Sequence, residues 1–162
     1  MSAAVALMFM CASPAMLAQA PRYNNGGMPG LVVAGSENYQ QLPEKARKFV
    51  EKHFKDSNVA KCEKYFAKGK YEVELTNGID IEFDAQGTVT EIDAPDRAYI
   101  ASSIVKDILP HKAFSRLEKE GLSQTVESVE FKKGKVYEVD VNIPGPDTYV
   151  FDINGEFLMI ED

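Results

Sequence analysis

Carboxylates recur at every second position in two stretches of this sequence. Glu72 and Glu74 alternate with Tyr71, Val73 and Leu75, and Asp80 and Glu82 alternate with Ile79, Ile81 and Phe83. Further on, Glu138 and Asp140 alternate with Tyr137, Val139 and Val141. A period of two sends successive side chains to opposite faces of a strand, so these acids share the face turned away from an apolar one. Such a face can hold the basic part of a protein or peptide, or a cation, or place pairs such as Glu72 and Glu82 for acid–base chemistry. Like charges stacked on neighbouring strands cost stability. Lys61, Lys70 and Lys135 lie close enough in sequence to offset part of that cost.

The enzymatic reading has little support. An open face provides no cleft to shift carboxylate pKa values. The sequence contains no Gly-x-Ser-x-Gly, no His-Glu-x-x-His and no phosphate-cradling glycine loop. His53 and His111 each lack a Cys, His or carboxylate at zinc-site spacing, and His53 reads as a boundary residue of an apolar stripe. Cys62 falls at an apolar position and reads as a small buried thiol. We therefore expect a protein that is not an enzyme and carries no cofactor. The alternative to a protein or peptide partner is calcium, with oxygen ligands at the hairpin tips from Asp84 with Gln86 or Asp152 with Asn154. Asp followed three residues later by Gly is also what an ordinary β-turn requires.

The elements that carry these residues come in two copies. Phe83-Asp84-Ala85-Gln86-Gly87 is answered by Phe151-Asp152-Ile153-Asn154-Gly155, and Gly69-Lys70-Tyr71-Glu72-Val73 by Gly134-Lys135-Val136-Tyr137-Glu138-Val139. Leu42-Pro43 opens one copy and Leu109-Pro110 the other. Behind Pro43, the residues Ala46, Phe49, Val50, His53 and Phe54 recur at helical spacing; behind Pro110, so do Ala113, Phe114 and Leu117, with a stop at Gly121. The period then changes to two over 59–66, 70–76, 79–84 and 88–92, and again over 126–131, 136–143, 148–153 and 156–160. Asn77-Gly78 predicts a type I′ turn. The connector 94–108 carries Ile100, Ile104 and Val105, with a helical turn predicted around Ser102 to Lys106. The fold class is α+β: two α-β4 repeats, 42–93 and 109–162, forming one antiparallel sheet with helices packed on one face. A repeat alone is too small for a good core, so a single domain over 42–162 is expected.

Residues 1–20 contain no charged side chain and run through an apolar core to Ser13-Pro14 and Ala18-Gln19-Ala20. This is the pattern of a secretory signal cleaved after Ala20. A second reading makes Cys11 a lipid-bearing cysteine, although Met10 fits poorly before one. Residues 21–41, rich in Asn, Gly and Pro, read as a flexible leader. The mature chain keeps only Cys62, so packing and not an internal disulfide must hold it in an oxidising compartment. It has no transmembrane segment, and a net charge of −7 argues against nucleic acid as a partner.

Taken together, Leu-Pro, a helix ending near His53-Phe54, Tyr-Glu-Val-Glu-Leu, Asn-Gly, Ile-Glu-Phe-Asp-x-x-Gly and Glu-Ile-Asp resemble the PepSY-like, beta-lactamase-inhibitor-protein-like family of periplasmic proteins of Bacteroidetes. The resemblance spans Leu42 to Asp162 and implies two α-β4 repeats joined in one sheet. It implies a periplasmic or secreted location and an inhibitor-like binding role, and brings no catalytic residues with it. Inhibitors of this shape use an aromatic concave sheet face, from which the acidic positions here depart.

Overall fold

The computed structural model describes residues 38–65, 69–132 and 135–161. The predicted signal, Cys11 and residues 21–37 of the leader lie outside them. Two copies of a helix and four strands follow one another: α1 Glu44–His53, β1 Val59–Tyr65, β2 Lys70–Leu75, β3 Asp80–Asp84 and β4 Val89–Asp93; then, after α2 Ser102–Ile108, α3 His111–Lys119, β5 Val126–Lys132, β6 Val136–Val141, β7 Thr148–Asp152 and β8 Phe157–Glu161. The eight strands form a single sheet in chain order, each antiparallel to the next. The repeats are joined where β4 pairs with β5.

Each long helix begins at a proline with φ near −50°, Pro43 and Pro110, where no backbone N–H is needed. Leu42 and Leu109, just before them, are buried and fix the entry of the chain. The apolar stripes of α1, α2 and α3 and the apolar residues on one face of the strands form one continuous core. It includes Val73, Ile81, Phe83, Ile92, Val129, Val139 and Phe151. The helices therefore cover one side of the sheet and leave the other uncovered. Phe83 and Phe151, equivalent in the two repeats, have no exposed surface. Phe83 meets Phe49 of α1 edge-on at 6.0 Å, and Phe151 meets Phe157 edge-on at the same distance. Cys62 is a free, buried thiol opposite Val73, as Val129 is opposite Val139.

Two expectations need correction. The leader does not extend to residue 41: Tyr39–Gln41 forms a 3-10 turn, Tyr39 is buried, and the Asn38 amide donates to the Cys62 carbonyl at 3.1 Å. One large buried ring outweighs the local polar composition there. The Asn77-Gly78 connection is also not type I′, because Gly78 has φ +83° while Asn77 has no positive φ. Gly78 N–H instead donates to Leu75 O, and Leu75 N–H to Ile79 O. This is the three-residue hairpin in which a type I turn ends in a left-handed glycine. Both Asp-x-x-Gly tips repeat it, and at those tips the glycine has a second duty. A Cβ on Gly87 would lie 2.8 Å from Ala46 N and Pro43 Cβ, and one on Gly155 would lie 2.8 Å from Ala113 N and Pro110 Cβ. The two helices thus rest directly on the two hairpin tips.

Candidate functional site

Strand register turns the alternation of acids into a line. Glu63 stands opposite Glu72, Glu72 opposite Glu82, Glu82 opposite Glu91, Glu91 opposite Glu130, and Glu130 opposite Glu138. At about 4.8 Å per strand this row runs about 24 Å across the uncovered face. It ends on Val150 and Met159 of β7 and β8. A parallel row beside it runs Lys61, Glu74, Asp80, Asp93, Ser128, Asp140, Thr148 and Glu161.

Such a row persists because hydrogen-bond donors are threaded through it. Lys70 pairs with Glu82, Lys132 with Glu138, and Lys61 lies 2.9 Å from Glu63. The Tyr65 hydroxyl lies 2.7 Å from Glu63 Oε2 and 2.8 Å from Glu72 Oε2, so it donates to one or the other. Asp140 accepts from the Ser128 and Thr148 hydroxyls, each at 2.6 Å. These donors stand on β1 and β2 and on β5 and β7, and Lys132 also lies 3.5 Å from Glu130. The seam acids of β4, Glu91 and Asp93, lie between the two groups.

There, across β4 to β8, the face dips into a depression of about 350 Å³ lined by Glu91, Asp93, Ser128, Glu130, Lys132, Glu138, Asp140, Thr148 and Glu161. Lys132 is the cation among them. Burial, followed by the charges of Asp93, Glu82 and Glu130, pushes the Glu91 carboxyl up to about 7. Burial also raises Asp93, while a hydrogen bond from Glu91 opposes the rise. The interaction between the two carboxyls raises Glu91 and lowers Asp93, so of the pair Glu91 keeps its proton to the higher pH. Asp80, further along, is raised by burial and then by Glu74 and Glu72.

All of Glu72, Glu74, Asp80, Glu82, Glu138 and Asp140 lie on the uncovered face. Glu138 and Asp140 line the depression, whereas Glu72, Glu74, Asp80 and Glu82 lie outside it. Glu91, Asp93 and Glu130 complete it and were not singled out in the sequence. The alternation around Ile92 and Val129 carries a signal for them, but the β4–β5 pairing that brings them together carries none. The tip aspartates are engaged in their own turns. Asp84 Oδ1 accepts from the N–H groups of Gln86 and Thr88 at 2.9 and 2.8 Å, and Asp152 Oδ1 from those of Asn154 and Glu156 at 2.8 Å. Among the described residues no group of three or more His, Cys, Asp or Glu side chains is placed to hold a metal ion. No helix there is long and apolar enough to cross a membrane.

The family described as "Putative beta-lactamase-inhibitor-like, PepSY-like" matches this chain twice, over residues 36–91 and 69–159. A solved structure described as a "putative periplasmic protein of unknown function" from Bacteroides vulgatus is 26% identical, with a TM-score of 0.60, covering 78% of this chain and 96% of its own. A "putative calcium-regulated periplasmic protein" from Bacteroides thetaiotaomicron is 30% identical with a TM-score of 0.60, covering 76% of this chain and 92% of its own. A further "putative periplasmic protein" from Bacteroides vulgatus is 25% identical with the same TM-score and the same coverage as the second. No curated protein matches the chain.

Proposed function

The chain belongs to the PepSY-like, beta-lactamase-inhibitor-like family, and from that premise we propose that it is a non-enzymatic binding module of the periplasm whose uncovered sheet face holds a cationic segment of a protein or peptide. The observation that carries this reading is the seam depression, where Glu91 stands opposite Glu130 and its carboxyl is pushed up to about 7. A positive group seated there relieves the repulsion, lowers the Glu91 carboxyl toward its ordinary range and so releases its proton. The acids then act as a complementary surface that favours basic partners and rejects acidic ones. Nothing in the depression resembles a nucleophile with its base.

Calorimetric titration with a short lysine-rich peptide tests the reading. The triple variant Glu82→Gln, Glu91→Gln, Glu130→Gln should lose at least tenfold in affinity. The control, Glu51→Gln with Glu118→Gln on the exposed outer faces of α1 and α3, should keep it. Equal losses in the two variants would reduce the effect to overall charge and sink the proposal.

A second reading, in which calcium takes the place of the basic group at Glu91 and Asp93, rests on the description of the Bacteroides thetaiotaomicron relative and not on a set of ligands among the described residues. Titration with calcium decides it: saturable heat abolished by Glu91→Gln supports it, and silence at millimolar calcium rejects it.

A further inference from the structure

On the helix side of the sheet, a groove of about 320 Å³ runs between α1 and the second repeat. Its floor is Phe49, Val89, Ile108, Phe131 and Tyr137, all half-buried. Phe131 and Tyr137 are stacked with centroids 4.6 Å apart and planes at 26°. Along the α1 side stand Lys45, Lys48 and Lys52, all exposed. Asp107 is the acid in the lining, where it pairs with Lys52 and lies 3.0 Å from His53 Nε2. Lys48 pairs with Glu44 on the exposed face of the helix. Lys45 donates to the neutral Thr88 hydroxyl at 2.9 Å, and no carboxylate among the described residues pairs with it. On a chain of net charge −7, this is a local reversal of sign directly above an aromatic floor.

The duplication provides an internal comparison. Beside α3, Arg116 occupies the place of Phe49, and Phe157 that of Val89. There the guanidinium lies 4.0 Å from the centre of the Phe157 ring and covers it. The surface beside α3 is also a depression, of about 720 Å³, but its aromatic ring lies under a cation, whereas beside α1 the equivalent position of that cation is the ring of Phe49. An open apolar groove at a unit junction, near the lower end of the size range of ligand pockets, is a typical small-molecule site.

From this geometry we infer that the groove binds a small amphipathic anion, with an aliphatic or aromatic body and one carboxylate or sulfonate head. The body lies along Phe49, Phe131 and Tyr137, and the head meets Lys45 and Lys48. Charge complementarity selects the anion over a neutral or cationic amphiphile: Lys45 exchanges a neutral hydroxyl partner for the head group, and Lys48 an exposed i,i+4 carboxylate.

Titration of the exported protein with decanoate, below its micelle concentration, tests this. The expected result is saturable one-to-one binding, weakened at least tenfold by Lys45→Glu with Lys48→Glu, two exposed positions whose replacement leaves the core untouched. Phe49→Ala, which removes the ring along which the body lies, should weaken binding at least tenfold. The Glu82, Glu91, Glu130 triple variant should bind decanoate normally, which separates this site from the sheet face. Absence of saturable binding overturns the inference. So does equal affinity for decanoate and 1-decanol, or binding that survives both the lysine and the Phe49 changes. Binding of an acidic peptide in place of decanoate, or of decanoate only after residues 21–37 are removed, also overturns it, by assigning the groove to a protein segment.

Discussion

Glu91 of β4 and Glu130 of β5 stand directly opposite each other where the strands of the two repeats pair. Like charges in that position oppose the pairing that makes the sheet continuous. The Glu91 carboxyl, pushed up to about 7 from an ordinary 4.5, relieves the conflict by keeping its proton. Between those two pH values the folded chain binds more protons at this site than the unfolded chain. Its stability from this group is thus fully present below the lower value and is lost as pH rises through the upper one. Glu91→Gln should therefore stabilise the protein at pH about 8, by about 0.2–1 kcal/mol, and flatten the decline between acid and neutral pH. Thermal melts across that range check it, and a variant less stable than the parent at high pH would mean that the charged Glu91 is favourably held.

Phe83→Ala and Phe151→Ala should each cost about 3–5 kcal/mol, the range for deleting a buried aromatic ring. Equivalent losses are expected because the two rings occupy equivalent, fully buried positions. Chemical denaturation measures both, and a loss below about 1 kcal/mol at either site would contradict the packing described.

Gly87→Ala and Gly155→Ala should each destabilise by more than the about 1–2 kcal/mol that left-handed backbone alone costs a residue with a Cβ. The added methyl meets the first turn of a helix in both cases. Gly121→Ala is the matched comparison: its φ is +77° and nothing lies within 4 Å of the new Cβ. The same measurement should rank it as the mildest of the three.

The repeat, the helices, the strand faces and the burial of Phe83, Phe151 and Cys62 are legible in the chain because each depends on local periodicity. What could not be read is what depends on pairing between distant segments. Glu91, Asp93 and Glu130 line one depression only because β4 lies against β5, and Phe131 and Tyr137 share a groove with Phe49 only because the second repeat lies beside α1. Tyr39 escaped notice for a related reason, since a single buried ring in an Asn- and Gly-rich stretch has no period. The Asn77-Gly78 dipeptide suits two hairpin geometries, and only the bonds around Leu75 distinguish them.

The core shared by both repeats predicts that a fragment spanning residues 42–93 will not fold alone. It would expose the β4 edge, and it lacks α2, whose Ile104 and Val105 are buried in the common core. The intact chain should melt in one transition and the fragment in none. A sharp transition in the fragment at the temperature of the whole would show two independent units.

The proposed role of the uncovered face is tested most directly by measuring the protons released when the lysine-rich peptide binds, by calorimetry in buffers of different ionisation enthalpy. Occupation of the seam should release up to about one proton near pH 6, fewer as the pH passes about 7, with affinity rising over the same interval. In the Glu91→Gln variant the release should fall to near zero. Binding that releases no protons from the parent protein, with an affinity indifferent to pH, would contradict the account.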